Sequence, residues 1–182
     1  MHSEIEQAIR IGKLLASYKL VDGASGNMSF RVGNKIIITK TGTNLDDLSR
    51  ESFVEVDLDE ENPYASSDLI VHREVYKNTD YKAVLHCHGV YNVVLSFKFN
   101  EIKPLDLEGS LYFGSIRVVK GEFRSKELAK KIADAIREKG VVVVRGHGIY
   151  SAGENLREAF NKACYVEHSC EIIYKLNLLN KS

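Results

Sequence analysis

The sequence predicts an α/β protein in which helices cover both faces of a mixed or antiparallel sheet. Helical and strand-like segments alternate along the 182 residues, and the early strands follow hairpin-like turns rather than crossover helices. The length is enough for one well-packed core and short for two. We therefore expect a single domain over residues 1–182.

The N-terminal third predicts one helix followed by short strands. Ser3 and Glu6 form a capping-box pattern, and apolar residues then recur at helical spacing, so we expect a helix over residues 4–19. A glycine-rich turn, DGASGN, follows this helix. The β-prone runs MSFRV and KIIIT are joined through Gly33 and Asn34, which predicts a hairpin, and FVEVDL predicts another strand.

The middle of the chain predicts a helix, a strand and a second helix. The polar segment DEENPYASSD precedes LIVHREVYKN, whose apolar residues recur at helical spacing. The Ser-Ser-Asp triplet is therefore expected at a helix N-terminus. KAVLHCH then predicts a strand, and GVYNVVLSF predicts a helix.

The C-terminal third predicts two apolar strands and two helices. The strands SIRVVKG and GVVVVRG flank a helix over about residues 126–139, which Ser125 caps and Gly140 ends. A long final helix is expected from Glu154 to about Leu178.

Composition argues against several classes of partner. The chain carries 25 basic and 25 acidic residues, so it offers no strong field to nucleic acid or to an anionic membrane surface. No apolar run approaches the length that spans a bilayer, and neither a GxGxxG nor a GxxxxGK motif occurs. Three cysteines without a regular framework fit reduced thiols. We expect a soluble, cytoplasmic protein with a small partner.

Two histidines stand on either side of a cysteine in AVLHCHGVY. Side chains two apart on a strand project from the same face, roughly 6.5 to 7 Å apart along the chain. His86 and His88 can therefore converge on one ion, while Cys87 turns to the opposite face. The alternative is an ordinary strand end with two half-exposed histidines, because two ligands are too few for a metal site.

A third histidine changes this balance. His147, in VVVVRGHGIY, follows an apolar strand and lies between glycines that allow a sharp turn. Alone, it would be interpreted as a loop histidine. Three histidines with an open fourth position form the arrangement of catalytic zinc sites. We therefore expect Zn²⁺, or another divalent transition metal, as cofactor.

Three loops of small residues supply hydrogen-bond donors. ASSDL combines two serine hydroxyls with the free N–H groups of a helix start, which suit a phosphate, although an ordinary N-cap would look the same. GASGN at 23–27 and TKTG at 39–42 are similar loops, and each is commonly only a turn. Beside three histidines, these loops predict an anionic substrate held near a Lewis acid.

In this order and spacing, GASGNMS, TKTG, ASSD, HCHGVY and RGHGIYSAG resemble the class II aldolase and adducin N-terminal domain family. The resemblance covers nearly the whole chain, and HCH with the later HGxxxxG is its most specific part. It implies a three-layer α/β/α sandwich around a mainly antiparallel mixed sheet. It also implies zinc and a fourfold-symmetric homotetramer with active sites between subunits.

The resemblance further implies roles for individual residues. The metal ligands would be His86, His88 and His147. The phosphate-binding residues would be Gly26, Asn27, Thr41, Gly42, Ser66 and Ser67. Asp68 stands where the family typically has a glutamate, and it is expected to exchange a proton with the substrate and to be a fourth metal ligand at rest. Because aspartate is one methylene shorter, the backbone must bring its carboxylate closer or a water must intervene.

The aldehyde side of the expected site departs from the family pattern. Phe123 in GEFRSKEL matches an aromatic residue that helps to place the aldehyde. The family's catalytic interfacial tyrosine has no match in register in KPLDLEGSLYFGS. Tyr112 or Glu108 of a neighbouring subunit is therefore the candidate acid.

The activity implied by the resemblance is reversible cleavage of L-fuculose 1-phosphate, or a similar ketose 1-phosphate, to dihydroxyacetone phosphate and a short aldehyde such as L-lactaldehyde. Relatives on the same scaffold act as ribulose-phosphate 4-epimerases or methylthioribulose-1-phosphate dehydratases, and both outcomes stay open. A non-catalytic interaction module, as in adducin, is a third alternative, which the three histidines disfavour.

Overall fold

The structure is a computed structural model that describes residues 2–179. In this range the α-helices are α1 (His2–Ser17), α2 (Leu69–Asn78), α3 (Val90–Lys98), α4 (Leu107–Phe113), α5 (Lys126–Lys139) and α6 (Leu156–Leu179). The strands are β1 (Asn27–Val32), β2 (Lys35–Thr39), β3 (Phe53–Asp57), β4 (Ala83–Cys87), β5 (Glu101–Ile102), β6 (Ile116–Val119), β7 (Val141–Val144) and β8 (Gly148–Gly153).

These strands form one sheet in the order β3-β2-β1-β4-β8-β7-β6-β5. Neighbouring strands are antiparallel except β6 and β7, which are parallel and are connected through α5. A parallel pair needs such a crossover, whereas antiparallel pairs can be joined by tight turns. The prediction of a mainly antiparallel mixed sheet is confirmed.

Helices cover both faces of the sheet. Helices α1, α3 and α6 pack on one face, where they share a core with Leu85 and Cys87 of β4. Helices α2 and α5 pack on the other face, against a core that includes Val84. This division follows from the two-residue period of a strand, which also turns Cys87 away from the neighbouring histidines as predicted. The three-layer α/β/α arrangement is confirmed.

The predicted helix between the two apolar strands is confirmed as α5. The Oγ atom of Ser125 accepts a hydrogen bond from Leu128 N at 3.1 Å, and Gly140 ends the helix with a φ of 70°. The helix after the Ser-Ser-Asp triplet and the long final helix are also confirmed. The final helix begins at Leu156 rather than at Glu154.

The capping box predicted near the N-terminus is wrong. Helix α1 already begins at His2, so Ser3 lies inside it, and its hydroxyl donates to the carboxylate of Glu4 at 2.8 Å. A capping residue must have a non-helical backbone, which Ser3 does not have here. The helix also ends at Ser17 because the chain turns at Lys19, where φ is 57°.

Three of the α-helices and strands given above were not predicted, namely α4, β5 and β8. Strand β8 is the most consequential, because it lies between β4 and β7 and all six of its residues are buried. Its sequence, GIYSAG, is bounded by glycines and is buried on both faces, so it lacks the alternation that identifies a strand exposed on one face. Within residues 2–179, no helix has the length and apolarity needed to cross a bilayer.

Candidate metal centre and substrate pocket

The three predicted metal-binding histidines meet at one end of the central strands. His86 lies near the end of β4, His88 follows that strand, and His147 comes directly before β8. The Nε2 atom of His86 lies 2.8 Å from Nε2 of His88 and 3.2 Å from Nε2 of His147. One ligand atom of each histidine lies within 4.8 Å of the other two. The pairing of β4 with β8 thus brings together residues 61 positions apart.

The hydrogen bonding of His86 presents a lone pair to this cluster. Its Nδ1 atom lies 2.9 Å from the carbonyl oxygen of Ile149, and because a carbonyl can only accept, Nδ1 carries the proton. In the neutral ring, Nε2 is then unprotonated. A metal-binding imidazole is commonly oriented in this way by a backbone carbonyl.

Burial keeps the three imidazoles neutral. It lowers the pKa of His86 well below its usual value, and it also lowers the pKa of His88 and of His147. The negative charge of Asp68 acts in the opposite direction on all three, but burial outweighs it. Neutral imidazole nitrogens are the form that binds a transition metal, so the donor set fits such an ion.

The turn that carries His147 depends on the glycine that follows it. A β-carbon at position 148 would clash with the carbonyl oxygen of Cys87 on the neighbouring strand. His147 N donates to the carbonyl oxygen of Val144 at 3.0 Å, which closes the turn between β7 and β8. Glycine therefore lets β8 approach β4 closely enough for His147 to reach His86.

Asp68 lies at the N-terminus of α2 with its carboxylate aimed into the site rather than at the helix. It is 2% exposed and makes no side-chain capping bond. Its Oδ2 atom accepts hydrogen bonds from Asn27 Nδ2 and from the Tyr150 hydroxyl, both at 2.8 Å. Within residues 2–179, the buried Oδ1 atom has no hydrogen-bond partner. Oδ2 lies 3.9 Å from His86 Nε2, and Asp68 is not part of the three-histidine group.

Asp68 is ionised despite its burial. Burial raises the pKa of its carboxyl. The electrostatic interaction with His86 and the hydrogen bonds from Asn27 and Tyr150 lower this pKa by a larger amount, so it lies below its usual value. Burial and the charge of Asp68 raise the pKa of Tyr150 well above its usual value, so the phenol stays protonated and donates. The ring of Tyr150 also stacks on His86, with ring centres 4.0 Å apart.

The loops predicted to hold phosphate line the same pocket as the histidines. This cavity has a volume of about 160 Å³. Its lining includes Gly26, Asn27, Thr41, Gly42, Ser66, Ser67, Asp68, Phe123 and the three histidines. Three additional side chains with donor groups also line it, namely Ser25, Lys40 and Thr43.

One chain supplies the predicted metal-binding and phosphate-binding residues of the pocket, but only one of the three predicted aldehyde-side residues. Phe123 is 50% exposed and points its ring at His147, with ring centres 5.3 Å apart. Tyr112 and Glu108 do not line this pocket. Both lie on α4, where Tyr112 stacks on Tyr165 at 5.0 Å between ring centres. Within the described chain, these two residues therefore do not contribute to the pocket.

Comparison with known proteins decides the family. The model of the family described as Class II Aldolase and Adducin N-terminal domain matches residues 6–174. The chain belongs to this family. Class II aldolases depend on a metal, and the three-histidine group is where this chain could bind one.

Similar proteins support a lyase of the class II aldolase type. The L-fuculose phosphate aldolase of Methanocaldococcus jannaschii is 32% identical over 97% of this chain and 98% of its own length. The structure of L-fuculose-1-phosphate aldolase from Thermus thermophilus superposes with a TM-score of 0.94 at 32% identity, covering 99% of this chain and 97% of that one. A methylthioribulose-1-phosphate dehydratase of Pseudoalteromonas translucida is 27% identical over 94% of this chain and 91% of its own length.

Two residues of this class II aldolase site were missed by sequence reasoning. Neither Tyr150 nor His72 was among the predicted site residues, although His72 is fully buried and bonds to Asn27 Oδ1 at 2.6 Å. One signal was present for His72: Asp68, His72 and Tyr76 recur at intervals of four, which places them on one face of a helix.

Proposed function

We propose that the protein is a zinc-dependent aldolase that reversibly cleaves L-fuculose 1-phosphate, or a similar ketose 1-phosphate, to dihydroxyacetone phosphate and a short aldehyde such as L-lactaldehyde. The observation that carries this proposal is the convergence of three imidazole Nε2 atoms beside Asp68 in a pocket lined with hydroxyl groups. Relatives whose names describe this activity, similar along almost the full chain, support it.

His86, His88 and His147 would hold the divalent ion. Bound there, it would act as a Lewis acid that polarises the ketone and stabilises the negative charge left on the adjacent carbon, worth several kcal/mol. Three neutral nitrogen donors suit zinc, although another divalent transition metal would also accept them. Asp68 is proposed as a further ligand at rest.

Asp68 would hold and return the proton at that carbon. Oδ2 is already occupied by two donors, so Oδ1 is the oxygen left to exchange a proton. In the condensation direction an ionised carboxylate with one free oxygen can take this proton as a general base. The carboxyl, once protonated, returns a proton to the same carbon in the cleavage direction. The shorter side chain, compared with the usual glutamate, is offset by its place at the first turn of α2, directly against β1 and β8.

The small-residue loops would bind the phosphate group. Ser66 and Ser67 precede α2, and Thr41, Gly42 and Gly26 line the pocket beside them. Hydroxyls and main-chain N–H groups, aided by the dipole of α2, suit an anion. The side chain of Asn27 is committed at both ends, to Asp68 and to His72, so we assign phosphate contact there to the main chain. A fixed phosphate would set the position of the reacting bond.

A homotetramer with shared active sites is proposed for the aldehyde side. Exposed apolar side chains are concentrated between residues 90 and 112. They are Val90, Val94, Phe97, Leu105, Leu107, Leu111 and Tyr112. This apolar surface extends to the turn that carries His147. The Phe97 ring lies 2.9 Å from where a β-carbon would be on Gly146, the residue before His147. Tyr112 or Glu108 of a neighbour would serve as the acid for the aldehyde oxygen in condensation, opposite Phe123, and in cleavage the same group would take the proton of the hydroxyl that becomes the aldehyde.

The dehydratase relative supports an alternative outcome on the same scaffold. Incubation with L-fuculose 1-phosphate, followed by assay of dihydroxyacetone phosphate, separates cleavage from dehydration and from epimerisation to a retained ketose phosphate. The proposal predicts equal amounts of dihydroxyacetone phosphate and lactaldehyde. The matched control is His147→Ala, which should release neither. A product of unchanged carbon number would contradict cleavage, and a protein that binds no metal would favour an adducin-like interaction module.

Two further predictions remain as proposals. The chain is proposed to act as one domain over residues 1–182, since both cores are built on the same sheet. A cytoplasmic location is proposed from the three cysteines, which are unpaired among the described residues.

A further inference from the structure

A series of buried hydrogen bonds ends at Asp68, and the proposed reaction assigns no role to three of its members, Tyr76, Ser29 and His72. It begins at the Tyr76 hydroxyl, 2.7 Å from Ser29 Oγ, which lies 2.6 Å from His72 Nδ1. His72 Nε2 lies 2.6 Å from Asn27 Oδ1, and Asn27 Nδ2 donates to Asp68 Oδ2. Every member is buried. The contacts join β1 to α2 and end on the carboxylate of Asp68.

Elementary chemistry fixes the position of each proton in this series. The ionised carboxylate of Asp68 can only accept, so Asn27 must turn its Nδ2 towards it and its Oδ1 towards His72. His72 Nε2 must then carry a proton and donate it. Burial lowers the pKa of His72 to about 4, so the ring is neutral, and its unprotonated Nδ1 accepts from the hydroxyl of Ser29.

The amide of Asn27 is held at both ends, by the bond from its Nδ2 to Asp68 and by the bond from His72 Nε2 to its Oδ1. Without a donor at Nε2 of His72, the amide could rotate, and its buried oxygen would lack a partner. Rotation would place Oδ1 against the Asp68 carboxylate, where two acceptors repel each other. Loss of the Asn27 donor would leave the Tyr150 hydroxyl as the one remaining donor to Oδ2 and would loosen the hold on the orientation of the carboxylate.

We propose that His72 is a positioning residue: through Asn27 it fixes the orientation of the Asp68 carboxylate and so keeps Oδ1 as the working oxygen. This inference rests on the proposed function of Asp68. His72 touches neither substrate nor metal in this arrangement. Residues that orient the groups of an active site in this way typically change activity by about 10- to 100-fold.

The test compares two substitutions of one residue. His72→Phe retains a ring of similar size without a donor, and His72→Gln restores an amide N–H near the position of Nε2. We expect His72→Phe to lower kcat for cleavage of L-fuculose 1-phosphate by about 10- to 100-fold. KM should change less than about threefold, because the phosphate loops are untouched, and metal content should stay equal to wild type. His72→Gln should recover most of the lost kcat.

A double-mutant cycle separates positioning from general destabilisation. If His72 acts through Asn27, then His72→Phe should cause little further loss of kcat in an Asn27→Ala background. Two independent losses, or a His72→Gln variant as slow as His72→Phe, would overturn the inference. So would a His72→Phe variant that unfolds more easily but retains the wild-type kcat.

An activity-independent measurement keeps this inference distinct from the proposed function. The ¹⁵N chemical shifts of the His72 ring should report a neutral ring protonated at Nε2 at pH 7. A ring protonated at Nδ1 would reverse the order of donors and overturn the inference. If the wild-type protein cleaves no ketose phosphate, the proposed function fails, while the ring shifts still decide whether His72 donates to Asn27.

Discussion

At the scale of the residue, the proposed role of Asp68 rests on the different surroundings of its two carboxylate oxygens. Tyr150 and Asn27 both donate to Oδ2, and Oδ1 has no partner among residues 2–179. The pKa of this carboxyl is nevertheless lowered, so it is a base at neutral pH. The short side chain is thus held in a defined position by donors from β1 and β8.

Replacing the carboxylate by an amide should separate metal binding from turnover. We expect Asp68→Asn to keep most of the bound metal, because three histidines remain, and to lower kcat by about 10²- to 10⁴-fold, the usual contribution of a general base. Metal analysis and steady-state kinetics check this. Asp68→Glu is the matched control, since it retains a carboxylate and should be more active than Asp68→Asn. Normal turnover by Asp68→Asn would assign the proton to another group.

The buried neutral state of His72 predicts how stability depends on pH. Its pKa is about 4 in the folded chain, against about 6.5 when unfolded. As pH falls below the unfolded value, only the unfolded chain gains this proton, so folding loses up to about 3 kcal/mol between pH 7.5 and pH 4. Urea unfolding of metal-free wild type and His72→Gln at several pH values measures the difference. Identical pH dependence in both proteins would contradict the assignment.

The sequence was informative about residues whose spacing is local. His86 lies in β4 and His88 directly follows that strand, and their separation of two residues turns both rings to the same side. Ser66 and Ser67 precede a helix because of the pattern that follows. The partners of Asp68 could not be predicted, because Asn27 lies 41 positions away and Tyr150 lies 82 positions away. Only the pairing of β1 and β8 with β4 brings them to the same carboxylate.

At the scale of the element, β8 determines the geometry of the metal centre. The strand places Tyr150 opposite His86 and follows directly after His147. Neither helical periodicity nor exposed-strand alternation identified it, because a short central strand that is buried on both faces shows neither pattern. The helices were predicted more closely, since α5 has a cap at each end and α2 and α6 have clear apolar faces.

We therefore expect Gly148→Ala to displace a member of the three-histidine group, although residue 148 is not itself in that group. The added β-carbon would meet the carbonyl oxygen of Cys87 and force β8 away from β4, which we expect to cost about 1–3 kcal/mol of stability. His147 would move with it, so zinc affinity should fall as well. Isothermal titration with zinc and urea unfolding measure the two effects.

Gly33→Ala is the matched control for this substitution. Gly33 also has a positive φ, 60°, but a β-carbon there would meet no atom within 4 Å. We expect a loss of about 1 kcal/mol from backbone strain alone and unchanged zinc affinity. A Gly148→Ala variant with the zinc affinity of Gly33→Ala would show that the approach of β8 does not position His147.

At the scale of the whole molecule, the apolar surface of residues 90–112 supports the proposed tetramer. Leu111 is 75% exposed and Phe97 is 68% exposed, which is unusual for large apolar side chains unless another surface covers them. Neither the sequence nor one chain alone reveals how the subunits are arranged. The proposal therefore depends on the position of this surface, beside the metal centre.

A charge placed in this surface should disrupt assembly and activity together. We expect Leu111→Glu to shift the protein from tetramer to smaller species in light-scattering measurements, and to lower kcat because the acid of the neighbouring subunit is lost. Val32→Glu is the control, since Val32 is also exposed but lies on the β1–β2 hairpin. A tetramer that survives Leu111→Glu, or a monomer with full activity, would refute shared active sites.

The proposed carbon–carbon cleavage requires one ion held by three imidazoles, which lie at the end of β4, directly after β4 and in the β7–β8 turn. The most direct measurement is the rate of dihydroxyacetone phosphate release from L-fuculose 1-phosphate as zinc is titrated into metal-free protein. The predicted result is no cleavage without metal and a rate that saturates at about one zinc per chain. Full cleavage by the metal-free protein would contradict it.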